Sequence, residues 1–276
     1  MRAHRTRKHR TLIALLGLLV GLAAPAGAIA AKRLIEGGST SVLPLAKELA
    51  GAYHKAFPKI PEPQVLGGES DIGINGASTG RFDVGDSSRD PIKGVDPKHL
   101  IFTKIARDGV CIITNKANPI ANLSQQEVES IFTGRTRDWS EVPGAHISGP
   151  IDLFDRDGAS GTQDAFQHIF LGEYLQVSPS ATAKTSNGLE QNAVIADKQG
   201  IGFVSFAYTP GTNAVGYQGV ACNLRNARSG QYTGVRNFWM VTTTHPSAAA
   251  VKYIKWVTSG NAVTKRIINS QWIAIH

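Results

Sequence analysis

The stretch RLIEGGSTSVLPLAKELAGAYHKAF, residues 33–57, holds a short strand, a hydroxyl-rich corner and an amphipathic helix in succession. Arg33 to Glu36 is predicted as the strand, and apolar side chains recur at helical spacing from about Val42 to Phe57. Pro44 falls in the first turn of that helix, where a missing N–H costs little. The corner GGSTS, Gly37 to Ser41, therefore lies where a strand turns into a helix.

A second corner of the same kind is RDGASGT, Arg156 to Thr162, between a predicted strand at Ile151 to Phe154 and a helix from about Gln163 to Phe170. The first N–H groups of a helix have no intrahelical partner and lie at the positive end of its dipole, so two such corners facing each other would bind an anion. Serine capping and an ion pair between Arg156 and an adjacent aspartate are the competing interpretations.

Two more turns cluster small residues after predicted strands, namely GGESDIG at residues 67–73 and DVGDSSRD at residues 83–90. Ser70 and Ser88 are the candidate hydrogen-bond donors in them. We expect Arg89 to form a structural ion pair with Asp86 or Asp90 in preference to binding an anion.

Strand and helix alternate along the whole chain, which predicts an α/β fold with mainly parallel sheets. Ser124 and Glu127 form a predicted capping box that opens a helix ending near Phe132. Separate strands are expected at Leu100 to Lys104 and Gly109 to Thr114. Other predicted elements are strands near residues 63–66, 83–85, 202–205, 214–222 and 237–242 and helices near residues 189–197, 247–258 and 262–270.

The N-terminus has the pattern of a secretory signal peptide: a basic head, an apolar run from Leu12 to Ala24, and small residues that offer cleavage near Ala30. The run is short for a membrane span, so an uncleaved anchor is the weaker alternative. We expect residues 1–30 to be removed and the protein to be periplasmic. About 246 residues then remain, with 24 basic and 21 acidic side chains. That small excess does not indicate nucleic-acid binding.

The two cysteines, Cys111 and Cys222, flank apolar segments and allow either one disulfide or two buried thiols. Neither has a CxxC partner or a nearby histidine pair, so we expect no metal site and no cofactor. A phosphatase or serine hydrolase that uses Ser160 or Ser41 is a remote alternative. The histidines match no recognisable triad and the chain has no GxSxG elbow, so we expect a protein that is not an enzyme.

The order GSTSV, GGESDIGI, DVGDSSRD, DGVCIITNKANPIANLSQQEVESIFTGRTRDWSEV, RDGASGTQDAF and SNGLEQNAVIADKQGIGFVSF resembles the periplasmic phosphate-binding proteins of ABC-type phosphate uptake. The resemblance runs from about Leu34 to the last helix. It implies a two-lobed, type 2 periplasmic-binding fold in which two crossover strands connect the lobes. Residues 32–110 and 219–276 would form the first lobe, and residues 111–218 the second.

The resemblance also implies that inorganic phosphate binds in the cleft and that the protein, a monomer, delivers it to an ABC permease. The implied ligand residues lie on both sides of the cleft. They are Thr40, Ser41, Ser70, Ser88, Arg156, Ser160, Gly161 and Thr162.

Ser88 departs from the family pattern, because the best-known members have an aspartate there that accepts the proton of monohydrogen phosphate and repels sulfate. Either Asp71, Asp86 or Asp157 takes over this role, or selectivity is weaker. Another tetrahedral oxyanion such as sulfate or molybdate, a phosphate-bearing metabolite, and a phosphate-sensing role stay open as alternatives.

Overall fold

The computed structural model describes residue 1 and residues 32–275 of the 276-residue chain. The predicted signal peptide therefore lies outside the described residues, apart from Met1. Residues 32–276 form one compact unit.

The described chain alternates strands and helices as expected. The strands are β1 (Ile35–Ser39), β2 (Gln64–Gly68), β3 (Val84–Ser87), β4 (Leu100–Thr114), β5 (Asn122–Leu123), β6 (Asp152–Arg156), β7 (Thr182–Lys184), β8 (Gly200–Ser205), β9 (Asn213–Ala214), β10 (Gly216–Tyr217) and β11 (Val235–Thr243). The helices are α1 (Leu43–Ala56), α2 (Ser70–Thr79), α3 (Gln125–Phe132), α4 (Gly161–Phe166), α5 (Asn187–Ala196), α6 (Leu224–Arg228), α7 (Ala248–Thr258) and α8 (Ala262–Gln271). Short helical turns cover Trp139–Glu141, Gln167–Leu171 and Phe206–Tyr208.

Within the described residues, nine strands form one sheet in the order β2-β1-β3-β11-β4-β8-β6-β7, with β9 paired to β4. The flanks are parallel, because β1 pairs with β2 and β3, and β6 pairs with β7 and β8. The centre is antiparallel at β3-β11, β11-β4 and β4-β8. The prediction of mainly parallel sheets is therefore wrong for the centre, where long strands run back between the two halves of the unit.

Strand β4 differs from the prediction, since residues 100–104 and 109–114 belong to one strand of 15 residues. Its residues 100–109 pair with β11, and its residues 110–114 pair with β8. One strand thus belongs to both halves of the sheet. The capping box at Ser124 and Glu127 is confirmed, with the Ser124 side chain and backbone both bonded to Glu127.

The described residues form two large hydrophobic cores, besides a small cluster of Ile74, Ala77 and Val241. In one core, Leu45, Leu49 and Tyr53 of α1 pack with β3, the first part of β4, β11 and α7. In the other, Phe166 of α4 stacks on Phe203 of β8, with ring centroids 3.9 Å apart. Burial of large apolar side chains supplies most of the free energy that fixes each helix on its strands. Helices α1 and α4 are thereby anchored with their N-terminal corners held in place.

Cys111 and Cys222 form a disulfide, with Cα atoms 5.8 Å apart. Cys222, Ala227 and Tyr232 pack in the second core, although the resemblance assigns residues 219–276 to the first lobe. Phe238 and Met240 return to the first core. This packing favours a second crossover near Val235, where β11 begins, and the bounds of the lobes stay a prediction.

In the part of the chain that the structure describes, no helix has the length and apolar character needed to cross a bilayer. The same residues contain no group of three or more His, Cys, Asp or Glu side chains arranged to hold a metal ion.

Candidate functional site

Hydroxyl groups from four separate turns meet between the two cores. Ser88 Oγ lies 2.8 Å from Ser39 Oγ and 3.3 Å from Ser70 Oγ. Ser41 Oγ lies 2.9 Å from Thr162 Oγ1, a contact between residues 121 positions apart in sequence. The GGSTS corner and the RDGASGT corner therefore face each other, as the sequence predicts.

The sheet explains why three of these turns converge. Strand β1 is parallel to both of its neighbours, β2 and β3, with Gly38 opposite Asp86, so the residues that follow all three strands emerge at one edge. Gly38 has φ of +141°, and a Cβ there would lie 2.3 Å from Asp86 O. Only glycine fits this approach, because it has no Cβ and tolerates positive φ.

The second corner also makes a close approach. A Cβ at Gly161 would lie 2.3 Å from Ser70 Oγ and 2.7 Å from Ser88 Oγ. Ser160 caps α4, since its Oγ accepts hydrogen bonds from Thr162 N at 3.1 Å and from Gln163 N at 3.3 Å. The capping interpretation of Ser160 is thus confirmed, and its buried hydroxyl also lies at the site.

Arg156 is fully buried beside these hydroxyls and bridges the two sides of the site. Its Nη2 donates to Glu69 Oε1 at 2.6 Å, and its Nε donates to Lys184 O at 2.8 Å. Its Nη1 has no hydrogen-bond partner among the described residues. A buried donor left without an acceptor costs about 1–3 kcal/mol. Arg156 Nη1 thus has donor capacity that no described residue uses, and the carboxyl group nearest to Arg156 is that of Glu69 and not that of an adjacent aspartate.

Arg236 is a second guanidinium at the site and was not predicted. Its Nη2 donates to Ser41 Oγ at 2.8 Å, and its Nη1 donates to Thr162 Oγ1 at 2.9 Å. The buried Asp108 is its counter-charge, at 3.0 Å from Nη2. Burial raises the pKa of Asp108, while the guanidinium opposes that rise. Arg236 thus touches both corners at once.

The position of this ion pair matters, because Arg236 of β11 and Asp108 of β4 are direct cross-strand neighbours. Val110 and Val235 belong with the second core, whereas Ala106 and Phe238 belong with the first. The ion pair therefore lies where both crossover strands pass from one core to the other. In β11, Arg236, Phe238 and Met240 share the buried register. A charged residue in that register was the sequence signal for Arg236.

Thr40 is part of the corner, but its hydroxyl contacts α5. Its Oγ1 accepts a hydrogen bond from Asn187 Nδ2 at 3.1 Å, and Asn187 also donates to Ser41 Oγ at 2.9 Å. The Tyr208 hydroxyl donates to Thr40 O at 2.9 Å. Asn187 was not predicted as a site residue. It is buried at the start of α5, and only the fold brings it to the corner.

None of the acids expected to compensate for Ser88 contacts the hydroxyl groups. Asp71 pairs with Arg89 at 2.8 Å, and Asp157 Oδ1 accepts from Ala159 N. Arg89 also pairs with Asp96 at 2.7 Å, so the expected pairing of Arg89 with Asp86 or Asp90 is wrong. The reason is that its side chain turns toward the start of α2 and the loop after β3.

Asp86 lies behind the GGSTS corner with Glu36, and both are buried. The carboxyl groups closest to the site's arginines are instead Glu69 and Asp108.

Ser41 and Ser160 are the two hydroxyls considered as nucleophiles. Among the described residues, no histidine hydrogen-bonds to either hydroxyl. Proton removal from a serine needs a base within hydrogen-bond reach. Neither serine therefore has a histidine base among the described residues.

Comparisons with known proteins agree with this picture. Residues 23–261 match the family described as PBP superfamily domain. A phosphate-binding protein, PstS 2, from Streptococcus agalactiae is 34% identical over 114 residues, which cover 41% of this chain and 39% of that relative. The phosphate-binding protein PstS of Bacillus subtilis is 28% identical over 200 residues, covering 71% of this chain and 65% of the relative. The chain thus aligns with less than two thirds of the length of these relatives.

Among solved structures, a putative phosphate ABC transporter substrate-binding protein from Clostridium perfringens with bound phosphate superposes with a TM-score of 0.82 at 27% identity. The likeness covers 89% of this chain and all of that one. An ABC-type phosphate transport receptor from Vibrio cholerae gives a TM-score of 0.69 at 24% identity, over 88% of this chain and all of that one. The expected two-lobed, type 2 periplasmic-binding fold is confirmed.

Proposed function

From the premise that this chain belongs to the PBP superfamily, we propose that it is an exported substrate-binding protein that binds inorganic phosphate between its two lobes. It passes the phosphate to the permease of an ABC transporter and performs no chemical reaction. The names of its relatives support this proposal, since they include phosphate-binding proteins and a structure with phosphate bound.

The observation that carries the proposal is the buried Arg156 Nη1, which has no partner among the described residues and belongs to the corner whose Thr162 contacts Ser41 of the other corner. A guanidinium forms strong, charge-assisted hydrogen bonds with a tetrahedral oxyanion. Arg236 adds a second positive charge that already contacts both corners. Two buried cations with several hydroxyl donors match the charge and the acceptor groups of phosphate.

We assign the ligand contacts to the predicted set and add one residue to it. Ser41, Ser70, Ser88, Ser160 and Thr162 supply hydroxyls, and Gly161 allows the corners to touch. Thr40 contributes through its backbone at the corner, because its hydroxyl is engaged by Asn187. Arg156 and Arg236 supply the positive charge. Because the two corners contact each other, an anion held between them brings the lobes together in a closed arrangement.

Calorimetric titration of the exported protein with inorganic phosphate tests the proposal. Arg156→Met removes the donor that we assign to the anion, and loss of a charged hydrogen bond of about 1.5–3 kcal/mol weakens binding by roughly 10- to 100-fold. The matched control is Arg135→Met, because Arg135 is exposed and has no hydrogen bond to a site residue among the described residues. We expect that control to bind like the wild type.

A parallel titration with sulfate tests the alternative ligand. Absence of phosphate binding, or equal affinity of wild type and Arg156→Met, would contradict the proposal. Tight binding of sulfate with weak binding of phosphate would replace inorganic phosphate by a fully ionised oxyanion as the ligand.

A further inference from the structure

The guanidinium of Arg156 lies between two buried carboxyl groups that the proposed binding of phosphate does not require. Glu69 Oε1 is 2.6 Å from Nη2, and Glu190 Oε2 is 3.8 Å from Nε. The side chains of Arg156 and Glu190 are both 0% exposed, and that of Glu69 is 6% exposed. One positive charge thus has two buried carboxyl partners.

Hydrogen bonding in this cluster is incomplete. Glu190 Oε1 accepts from Phe203 N at 2.7 Å, whereas its Oε2 has no hydrogen-bond partner among the described residues. Arg156 Nη1 is the second buried polar atom there without a partner. A buried ionised carboxylate without hydrogen bonds is costly, so such a group favours its protonated form. The cluster is therefore suited to hold a proton as well as an anion.

Other charged groups around the cluster strengthen this tendency. Asp155 and Asp157 flank Arg156 and add negative charge beside Glu190 and Glu69 respectively. Tyr208 faces Arg156 from the turn after β8, and Arg236 adds positive charge that Asp108 balances. Burial raises the pKa of Glu69 to about 7 and that of Glu190 to about 8, although Arg156 opposes both shifts. Both carboxyl groups thus titrate near neutral pH.

An oxyanion bound to Arg156 Nη1 would place a negative charge next to Glu69. It would also compete with Glu69 for the guanidinium, which now stabilises the ionised form of the Glu69 carboxyl group. A like charge at short distance in a desolvated site favours the neutral carboxylic acid. We propose that Glu69, supported by Glu190, is a proton-binding site coupled to the ligand site, and that Glu69 takes up one proton from solvent when the oxyanion binds. This inference rests on the proposed function.

The coupling has a measurable consequence for affinity. Ligand binding that takes up one proton becomes weaker as the pH rises through the titration range of Glu69. A single fully coupled proton changes the dissociation constant by up to about tenfold per pH unit. This dependence adds to the titration of phosphate itself.

The direct test is carbon-13 NMR of the wild-type protein labelled at the glutamate carboxyl carbons, titrated from pH 5 to 9 with and without saturating inorganic phosphate. Glu69→Gln assigns the Glu69 resonance by removing it. We expect its midpoint to move to higher pH when phosphate binds. Phosphorus-31 spectra of the same samples report bound phosphate and its own protonation separately.

A second measurement compares the pH dependence of the phosphate dissociation constant in variants. Glu69→Gln should reduce the slope of the dissociation constant against pH. Asp71→Asn should keep that slope, because Asp71 lies two residues after Glu69 and pairs with Arg89 and not with Arg156. Bound phosphate with an unmoved Glu69 midpoint would overturn the proton coupling alone. A phosphorus-31 spectrum without bound phosphate would overturn the proposed function, and the coupling with it.

Discussion

Gly161 illustrates how one residue controls contact between the two corners. A Cβ at this position would lie 2.3 Å from Ser70 Oγ and 2.7 Å from both Ser88 Oγ and Arg89 N. These distances are much shorter than a van der Waals contact, so Gly161→Ala would force the two corners apart. Because each corner is anchored in its own core, we expect phosphate affinity to fall by roughly tenfold or more, with little change in thermal stability. Calorimetry and a thermal scan check both parts.

Gly158→Ala is the control for this substitution, because nothing lies within 4 Å of a Cβ there and the residue belongs to the same RDGASGT corner. Equal phosphate affinities of the two alanine variants would show that the approach at Gly161 is not needed for binding.

At the residue scale, the hydroxyl groups were predictable because each belongs to a short local motif. Arg236 and Asn187 were not, since they lie 195 and 146 positions from the Ser41 hydroxyl that they contact. Glu69 is not among the predicted site residues. Its role depends on Arg156, 87 positions away, and local sequence does not contain that pairing.

Strands β1 and β3 carry a buried pair of carboxyl groups, Glu36 and Asp86, directly behind the site. The Tyr253 hydroxyl donates to Glu36 Oε2 at 3.1 Å. Neither oxygen of Asp86 has a hydrogen-bond donor among the described residues. A protonated Glu36 would supply such a donor. Burial raises the pKa of Glu36 well above its ordinary value and that of Asp86 to about 7. The two strands therefore hold a proton between them.

A raised pKa means that the folded protein binds this proton more tightly than the unfolded chain does. Stability from the pair is therefore fully present at about pH 4 and is lost as the pH rises toward 7 and beyond, by roughly 2–4 kcal/mol. Glu36→Gln keeps a neutral donor beside Asp86 at every pH, so we expect its thermal midpoint to fall less between pH 4 and 8 than that of the wild type.

Glu62 is exposed, so Glu62→Gln serves as the control, and its thermal midpoint should follow the same pH dependence as that of the wild type. Parallel pH curves for Glu36→Gln and the wild type would argue against a shared proton.

At the element scale, most strands and helices were predictable from periodicity, but α2 was not. Its sequence SDIGINGAST contains two glycines that weaken helix propensity. Gly73 is needed there, because a Cβ would lie 2.3 Å from Asp86 O. Close packing against β3 thus outweighs local preference. The antiparallel centre of the sheet was also hidden, since strand direction depends on pairing between distant segments.

At the scale of the whole molecule, the disulfide connects β4 to the segment after β10 across 111 residues of chain. Closing a loop of this length restricts the unfolded state, and removal of a native disulfide commonly costs about 2–5 kcal/mol. We expect the double variant Cys111→Ser, Cys222→Ser to lose unfolding free energy in this range in denaturant titrations. Phosphate affinity should change little, because neither cysteine contacts the site's hydroxyls or arginines.

Chemical reduction of the wild-type protein provides the matched comparison, because it breaks the same bond without a substitution. An unfolding free energy unchanged by both treatments would mean that the disulfide does not stabilise the fold. Residue spacing alone left the bond undecided, since only the fold brings Cys222 against β4.

The ion pair of Arg236 and Asp108 lies on the two strands that pass between the cores. Any rotation of one lobe against the other must turn the backbone of these strands, so the guanidinium near the pivot moves less than atoms farther from the strands. On the proposed function, the anion can dock first on a nearly stationary charge and be enclosed afterwards. Such an order lets a charged solute be captured by an open molecule without waiting for the closed shape to form.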